Sequence, residues 1–432
     1  MSKPWCTPER LGARSRVGRP VHETVDRRLG IAAGKARQRV ESVLAAVRGT
    51  VPPYVVVAVI LVCAFALVAG YVLKSCPVSS SRNISLLCYS DIELFYRYRH
   101  IATMPFPYVH GGLRGFIEYP VLTGLFAWST ARLAANPAQY LMVSAALLGP
   151  LAMVVAYLLA RLAGWRALMW AAAPALVLYA FHNWDLLAVA AVVVGVWCWT
   201  RGRVGWAGVC FGVGAALKLY PLLFVAPLAL EQLALGRRRT VAVALAAGVG
   251  TAVAVNLPFV VTNFDGWLAT YRFHSVRQPN IDSVWSVLVH GRLWNVSLLN
   301  ILTTGLIALS SVGILVAGHR RFRKDQTYPF LQVCGALVAA FLLWNKVQSP
   351  QYTLWILPFF ALLGVRLLWW LAYAAVDVLV YVSVLYLGPK SLDLARPYLM
   401  LSIYGRAALL AALILVFLRA QDVTAAPVPI PP

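Results

Sequence analysis

Charge is scarce in this chain, and negative charge is scarcer still. Only 12% of its 432 residues are Asp, Glu, Lys or Arg, and just 15 residues are acidic. With 61% hydrophobic residues, this composition excludes an ordinary soluble domain, which is rarely more than half apolar. The chain has no P-loop, no dinucleotide-binding glycine fingerprint, no HExxH and no CxxC. Nothing therefore marks a nucleotide site, and no segment fits the soluble domain that an enzyme using nucleotide sugars would normally carry. The seven cysteines show no metal-ligand spacing. Cys63, Cys198, Cys210 and Cys334 fall in apolar runs, where a thiol is a small apolar filler. The first fifty residues show no signal-peptide layout.

What is abundant is apolar sequence in long runs, with a mean hydropathy of +0.73. Many runs approach the roughly 20 residues needed to cross a bilayer, which predicts an all-α, polytopic membrane protein and not a β-barrel. The runs place spans near 53–73, 138–160, 167–181, 185–200, 204–217, 220–234, 240–261, 295–317, 327–344, 351–365, 367–387 and 397–418, about twelve in all. Residues 1–52 read as a basic, disordered cytoplasmic tail, 53–418 as one transmembrane catalytic domain, and 419–432 as a short proline-rich cytoplasmic tail.

The formal charge of +23 reports orientation here, not nucleic-acid binding. With the N-terminus inside, the inner loops carry Arg161 and Arg166, Arg201 and Arg203, Arg237 to Arg239, and Arg320 to Lys324. Counting residues 120–131 as a span would reverse every later loop, so 116–134 is read as an interfacial or re-entrant helix on the outer face. Cys76 and Cys88 then share an outer loop, where a disulfide is permitted.

This orientation gathers mixed polar chemistry on the outer side. Asp91 and Glu93 lie between Tyr89, Phe95, Tyr96 and Tyr98, and in extended chain they would share a face. Their functional reading is a base for a hydroxyl beside an orienting partner. The plain alternative is a solvated acidic loop paired with Arg97 and Arg99. Arg272, His274 and Arg277 lie among aromatic residues in the loop after Pro258, a pattern that suits a phosphate or a lipid headgroup. His274 is a second base candidate. Lys218 ends a glycine-rich apolar segment on the side where the basic bias disfavours it, and Tyr220-Pro221 follow. Asn183 reads as the N-cap of a helix starting at Asp185, which leaves Asp185 as a weaker substrate-binding candidate. Lys346, Gln348, Gln351 and Tyr352 sit at an outer break that either turns the chain or lines a pocket. Tyr108, Glu118 and Tyr119 complete the expected substrate-binding set. Asp377 and Arg406 lie at similar depth within spans, which predicts an ion pair locking the last two helices.

The run Tyr89-Ser90-Asp91-Ile92, then Pro107-Tyr108, then Glu118-Tyr119-Pro120-Val121-Leu122, with Lys218-Leu219-Tyr220-Pro221 and Ser349-Pro350-Gln351-Tyr352, resembles glycosyltransferase family 87. These are polyprenol-phosphate-mannose-dependent mannosyltransferases of actinobacteria with the GT-C fold. The similarity covers most of residues 53–418, and the aspartate usual in that family's first loop falls at Asp91. It implies a lipid-linked sugar donor, inverting transfer on the outer face and a glycan or glycolipid acceptor, with the bilayer as a further partner. No cofactor is required by this reading, and a divalent metal is compatible with it. The rival is a transporter or flippase of a lipid-linked sugar. That class places polar residues near the midplane of repeated halves, and the sequence shows no such repeat.

Overall fold

The computed structural model describes residues 51–75, 86–110, 117–288, 295–388 and 391–424. The basic N-terminal tail, Cys76 and most of the proline-rich C-terminal tail lie outside the described residues. Among those described the fold is all-α, with one isolated bridge between Leu363 and Asp422.

Among the described residues six helices are long and apolar enough to cross a membrane: Pro53–Lys74, Pro137–Ala171, Arg238–Thr262, Val296–Asp325, Leu367–Leu387 and Asp393–Arg419. The chain is a multi-pass membrane protein, but the expectation of about twelve spans is corrected to six helices of spanning length among the described residues. The remaining apolar segments are shorter helices, among them Asp185–Thr200, Val204–Leu217, Tyr220–Ala234 and Phe330–Trp344. At 1.5 Å per residue none reaches the ~30 Å of a hydrocarbon core.

Backbone breaks shorten them. Pro174 opens a new helix, and Gly202 takes a left-handed turn at φ 67° between two others. Lys218 is extended at φ −150°, and Pro350 starts a single 3-10 turn before Thr353–Leu362. The short helices are nevertheless the centre of the molecule: Phe330–Trp344 and Thr353–Leu362 are buried along almost their whole length. By contrast Arg238–Thr262 and Val296–Asp325 bury few residues, as helices facing lipid would. Small residues let the layers approach. A Cβ on Gly212 would collide with the Gly248 carbonyl, and one on Gly208 with Ala247.

Val121–Ala131 has 11 residues, about 16 Å of helix, too short to span. Its Thr123 hydroxyl donates to the Leu217 carbonyl at 2.6 Å, pinning this helix beside Lys218.

The expected Asp377–Arg406 pair is also corrected. Arg406 pairs with Asp282, at 3.1 Å, and bonds that residue's carbonyl as well. Asp377 accepts from the Thr353 hydroxyl at 2.6 Å instead. Equal depth along two helices does not fix rotation about their axes, so depth alone could not choose the partner.

Candidate active site

One cavity of about 780 Å³ collects most of the chemistry. Its wall includes Tyr89, Asp91, Glu118, Tyr119, His182 and Asn183, together with Lys218, His274, Arg277, Lys346, Gln351 and Tyr352. Two of the helices that meet there carry arginines at their opposite ends. Val204–Leu217 follows Arg203 and ends against Lys218, while Val296–Asp325 has Asn300 at the cavity and Arg320 to Lys324 far from it.

Asp91 is the first residue of the helix Asp91–Tyr98, so its backbone sits at the positive end of that helix. Its amide bonds the His182 carbonyl at 2.8 Å. The carboxylate is held at both oxygens: the Tyr89 hydroxyl donates to Oδ1 at 2.8 Å and the Asn183 amide to Oδ2 at 2.7 Å. Burial pushes Asp91 above the ordinary carboxylate range, and these two hydrogen bonds pull against that rise. Burial and the Asp91 charge push Tyr89 up, so its hydroxyl stays a donor.

Glu93 does not join its neighbour. The segment is helical, and two helical steps of about 100° turn Glu93 roughly 200° away from Asp91. It is buried outside the cavity, with Oε2 lacking a partner among the described residues.

Three cations face Asp91's cavity. Lys218 lies 3.5 Å from Asp185 and 4.6 Å from the Tyr119 ring centroid. Asp185 sits behind it, also accepting from Trp355 Nε1 at 2.8 Å, so its role is to hold the lysine. Lys346 donates to the Arg277 carbonyl at 2.8 Å, which ties the break before Pro350 to the end of the helix Phe264–Val276. Burial and the nearby Arg277 lower Lys346 from the usual lysine range. Arg272 points elsewhere. It is exposed and paired with Asp265 at 2.9 Å, so the expected Arg272–Arg277 clamp is not formed.

His274 Nε2 donates to the Glu118 carbonyl at 2.9 Å, since a carbonyl only accepts. Burial lowers its pKa, so it is a neutral ring whose Nδ1 is a lone-pair acceptor. Glu118 is reached by Arg99 at 3.4 Å. Tyr108 is not a wall residue. It is buried in a left-handed conformation at φ 66°, and its hydroxyl donates to the Tyr119 carbonyl at 2.7 Å, shaping the Glu118-Tyr119-Pro120 turn from behind. Gly124 makes room for it, since a Cβ there would strike the Tyr108 hydroxyl.

Tyr220, Trp355 and Tyr352 stack as a floor, with centroids 4.2 Å and 3.9 Å apart. Gln351 lines the cavity with its Oε1 unpartnered among the described residues. Gln348 faces a separate small void beside Arg406, with both amide atoms unpartnered there. Cys88, just before this site, is disulfide-bonded.

The sequence pattern of glycosyltransferase family 87 matches residues 116–344. The chain belongs to glycosyltransferase family 87. No curated protein matches it. Among solved structures it is similar to ArnT from Cupriavidus metallidurans bound to undecaprenyl phosphate, at 16% identity and a TM-score of 0.40, over 83% of this chain and 76% of that one. In this family 87 member the cavity-lining residues not expected as site residues from sequence include Tyr89, His182 and Asn183. Asn183 is not the expected N-cap; its Oδ1 bonds only the next backbone amide, that of Trp184 at 2.6 Å.

Proposed function

We propose that the protein moves mannose from a polyprenyl-phosphate donor to a glycan or glycolipid of the cell envelope, on the extracytoplasmic face and with inversion. The observation that carries this reading is the Asp91 carboxylate, clamped at both oxygens by Tyr89 and Asn183 and sharing one cavity with Lys218, Arg277 and Lys346.

In the proposed step Asp91 takes the proton of the acceptor hydroxyl as that oxygen bonds to the anomeric carbon. The bond from that carbon to the donor's phosphate oxygen breaks on the opposite face, and polyprenyl phosphate leaves as an anion. The leaving group needs cations, not a proton, and Lys218, Arg277 and Lys346 are placed to supply them. The stacked Tyr220, Trp355 and Tyr352 rings give the cavity an aromatic wall, a surface that suits a sugar. Asn300, Thr303, Thr304 and Ile307 form one stripe of a little-buried helix along the cavity, a path by which a lipid tail stays in the bilayer. The outward orientation, with both termini cytoplasmic, is supported by the arginines at the far ends of two helices that meet at the cavity.

Purified protein given polyprenyl-phosphate mannose and a panel of acceptor glycosides should release polyprenyl phosphate and form a new glycoside of inverted anomeric configuration. Movement of intact donor across vesicles without release would replace this reading with a transporter.

A further inference from the structure

The outer end of the first membrane helix carries a lysine that the proposed step does not use. Lys74 is fully buried. Its Nζ lies 2.8 Å from the Tyr89 carbonyl oxygen, 2.9 Å from the Tyr381 hydroxyl and 3.4 Å from His182 Nδ1. The Tyr381 hydroxyl spends its own proton on the Leu87 carbonyl, so toward Lys74 it accepts. The Tyr89 carbonyl accepts as well. Carried as an ammonium, Lys74 has three protons and no lone pair, and its third proton then faces His182 Nδ1. A ring nitrogen that accepts leaves the ring's proton on the other nitrogen, Nε2.

That second nitrogen has no hydrogen-bond partner among the described residues, while His182 lines the cavity and is 4% exposed. The ring lies against Tyr89, centroids 5.2 Å apart, and Tyr89 is the residue that donates to Asp91. The backbone joins the two groups directly, through the His182 carbonyl and the Asp91 amide. Burial and the Lys74 charge hold the imidazole neutral, well below its usual pKa.

We propose that Lys74 is charged here and that His182, with its proton kept on Nε2 by that ammonium, donates a hydrogen bond to a substrate hydroxyl oxygen next to the one that Asp91 deprotonates. Lys74 is then a positioning residue. The ligand this suits is a ring with two neighbouring hydroxyls, one giving its proton to Asp91 and the other accepting from His182. A neutral donor also leaves the phosphate to Lys218, Arg277 and Lys346. Naming a sugar as the ligand rests on the transfer reading above, whereas the polarity of the ring does not.

Two measurements separate these. In full-length protein labelled with ¹⁵N-histidine, the NMR signal that disappears in His182→Gln should report, at about pH 7, a neutral ring protonated on Nε2 and bare on Nδ1. A ring protonated on Nδ1, or on both nitrogens, overturns the proposal whatever the protein's activity. With polyprenyl-phosphate mannose and octyl α-mannoside as probes, His182→Phe should raise the acceptor KM about tenfold, the usual worth of one hydrogen bond, with a smaller change in kcat. His182→Gln carries an amide that can present a donor near the Nε2 position and should recover most of that loss. Lys74→Met should raise the same KM, and adding His182→Gln to it should restore binding, because an amide needs no neighbour to fix its polarity. A Lys74→Met loss that His182→Gln leaves untouched overturns the positioning role. Where Lys74→Met does not fold, the wild-type spectrum decides. Absence of any transfer by the wild-type protein would sink the transfer reading and the ligand named here, and the spectrum would still settle the ring.

Discussion

Asn183 divides its side-chain amide between Asp91 Oδ2 and the Tyr119 hydroxyl, each at 2.7 Å. Its carbonyl oxygen is fixed by the Trp184 amide, so the group has one orientation and presents both protons to the site. Asn183→Ala should lower turnover roughly ten- to a hundredfold, the worth of a hydrogen bond to a charged group. That bond favours the ionised form, so its loss should raise the Asp91 pKa further. The acid limb of the pH–rate profile should therefore move to higher pH, and a shift to lower pH would remove Asn183 from this role.

Asp91→Asn keeps the shape and removes the base. Turnover should fall by a factor on the order of 10²–10⁴, with donor binding nearly intact. In the unmodified enzyme the acid limb should lie above the ordinary carboxylate range, because burial raises Asp91. Activity is lost as pH falls through that raised value, since the protonated form cannot accept. Glu93→Gln should leave turnover within a few-fold of normal. Should Glu93→Gln abolish transfer and Asp91→Asn spare it, the base is elsewhere.

Arg272, within the helix Phe264–Val276, and Arg277, at its C-cap, should separate. Arg277→Ala should weaken donor binding and turnover together, because a phosphate contact acts in both ground and transition states. Arg272→Ala should change neither much, since Arg272 is exposed and pairs with Asp265 at the surface. Titrating each variant with polyprenyl phosphate checks this, and equal losses would mean that both arginines reach the phosphate.

Much of this site is written in local sequence. Asp91, Lys218, Arg277, Lys346 and Tyr352 stand out as polar or aromatic residues beside apolar runs, and the fold brings them to one cavity. The errors have physical causes. Hydropathy marks an apolar run whether or not its helix is long enough to cross, so the short segments bounded by Gly202, Lys218 and Pro350 read as full spans. Arg272 and Arg277 are five residues apart, roughly 140° around a helix, so only one of them can share a face with His274. Asn183 was illegible for another reason. Its partner lies 92 residues away, and no local pattern distinguishes a cap from a long-range clamp.

Asp282 and Arg406 offer a test of packing that is independent of chemistry. Both side chains are 3% exposed, and they meet at 3.1 Å between the loop after Phe264–Val276 and the last helix. Asp282→Asn or Arg406→Leu alone strands a buried charge, which should cost about 3–5 kcal/mol and lower the melting temperature in detergent. Combining the two removes both charges and should recover part of the loss. The same cycle with Asp377→Asn should show weaker coupling to Arg406, because Asp377 is bonded to Thr353 at 2.6 Å. Stronger coupling of Arg406 to Asp377 than to Asp282 would restore the pairing expected from depth alone. It would also detach the last helix from the loop that carries Arg277 and Asn280 into the cavity.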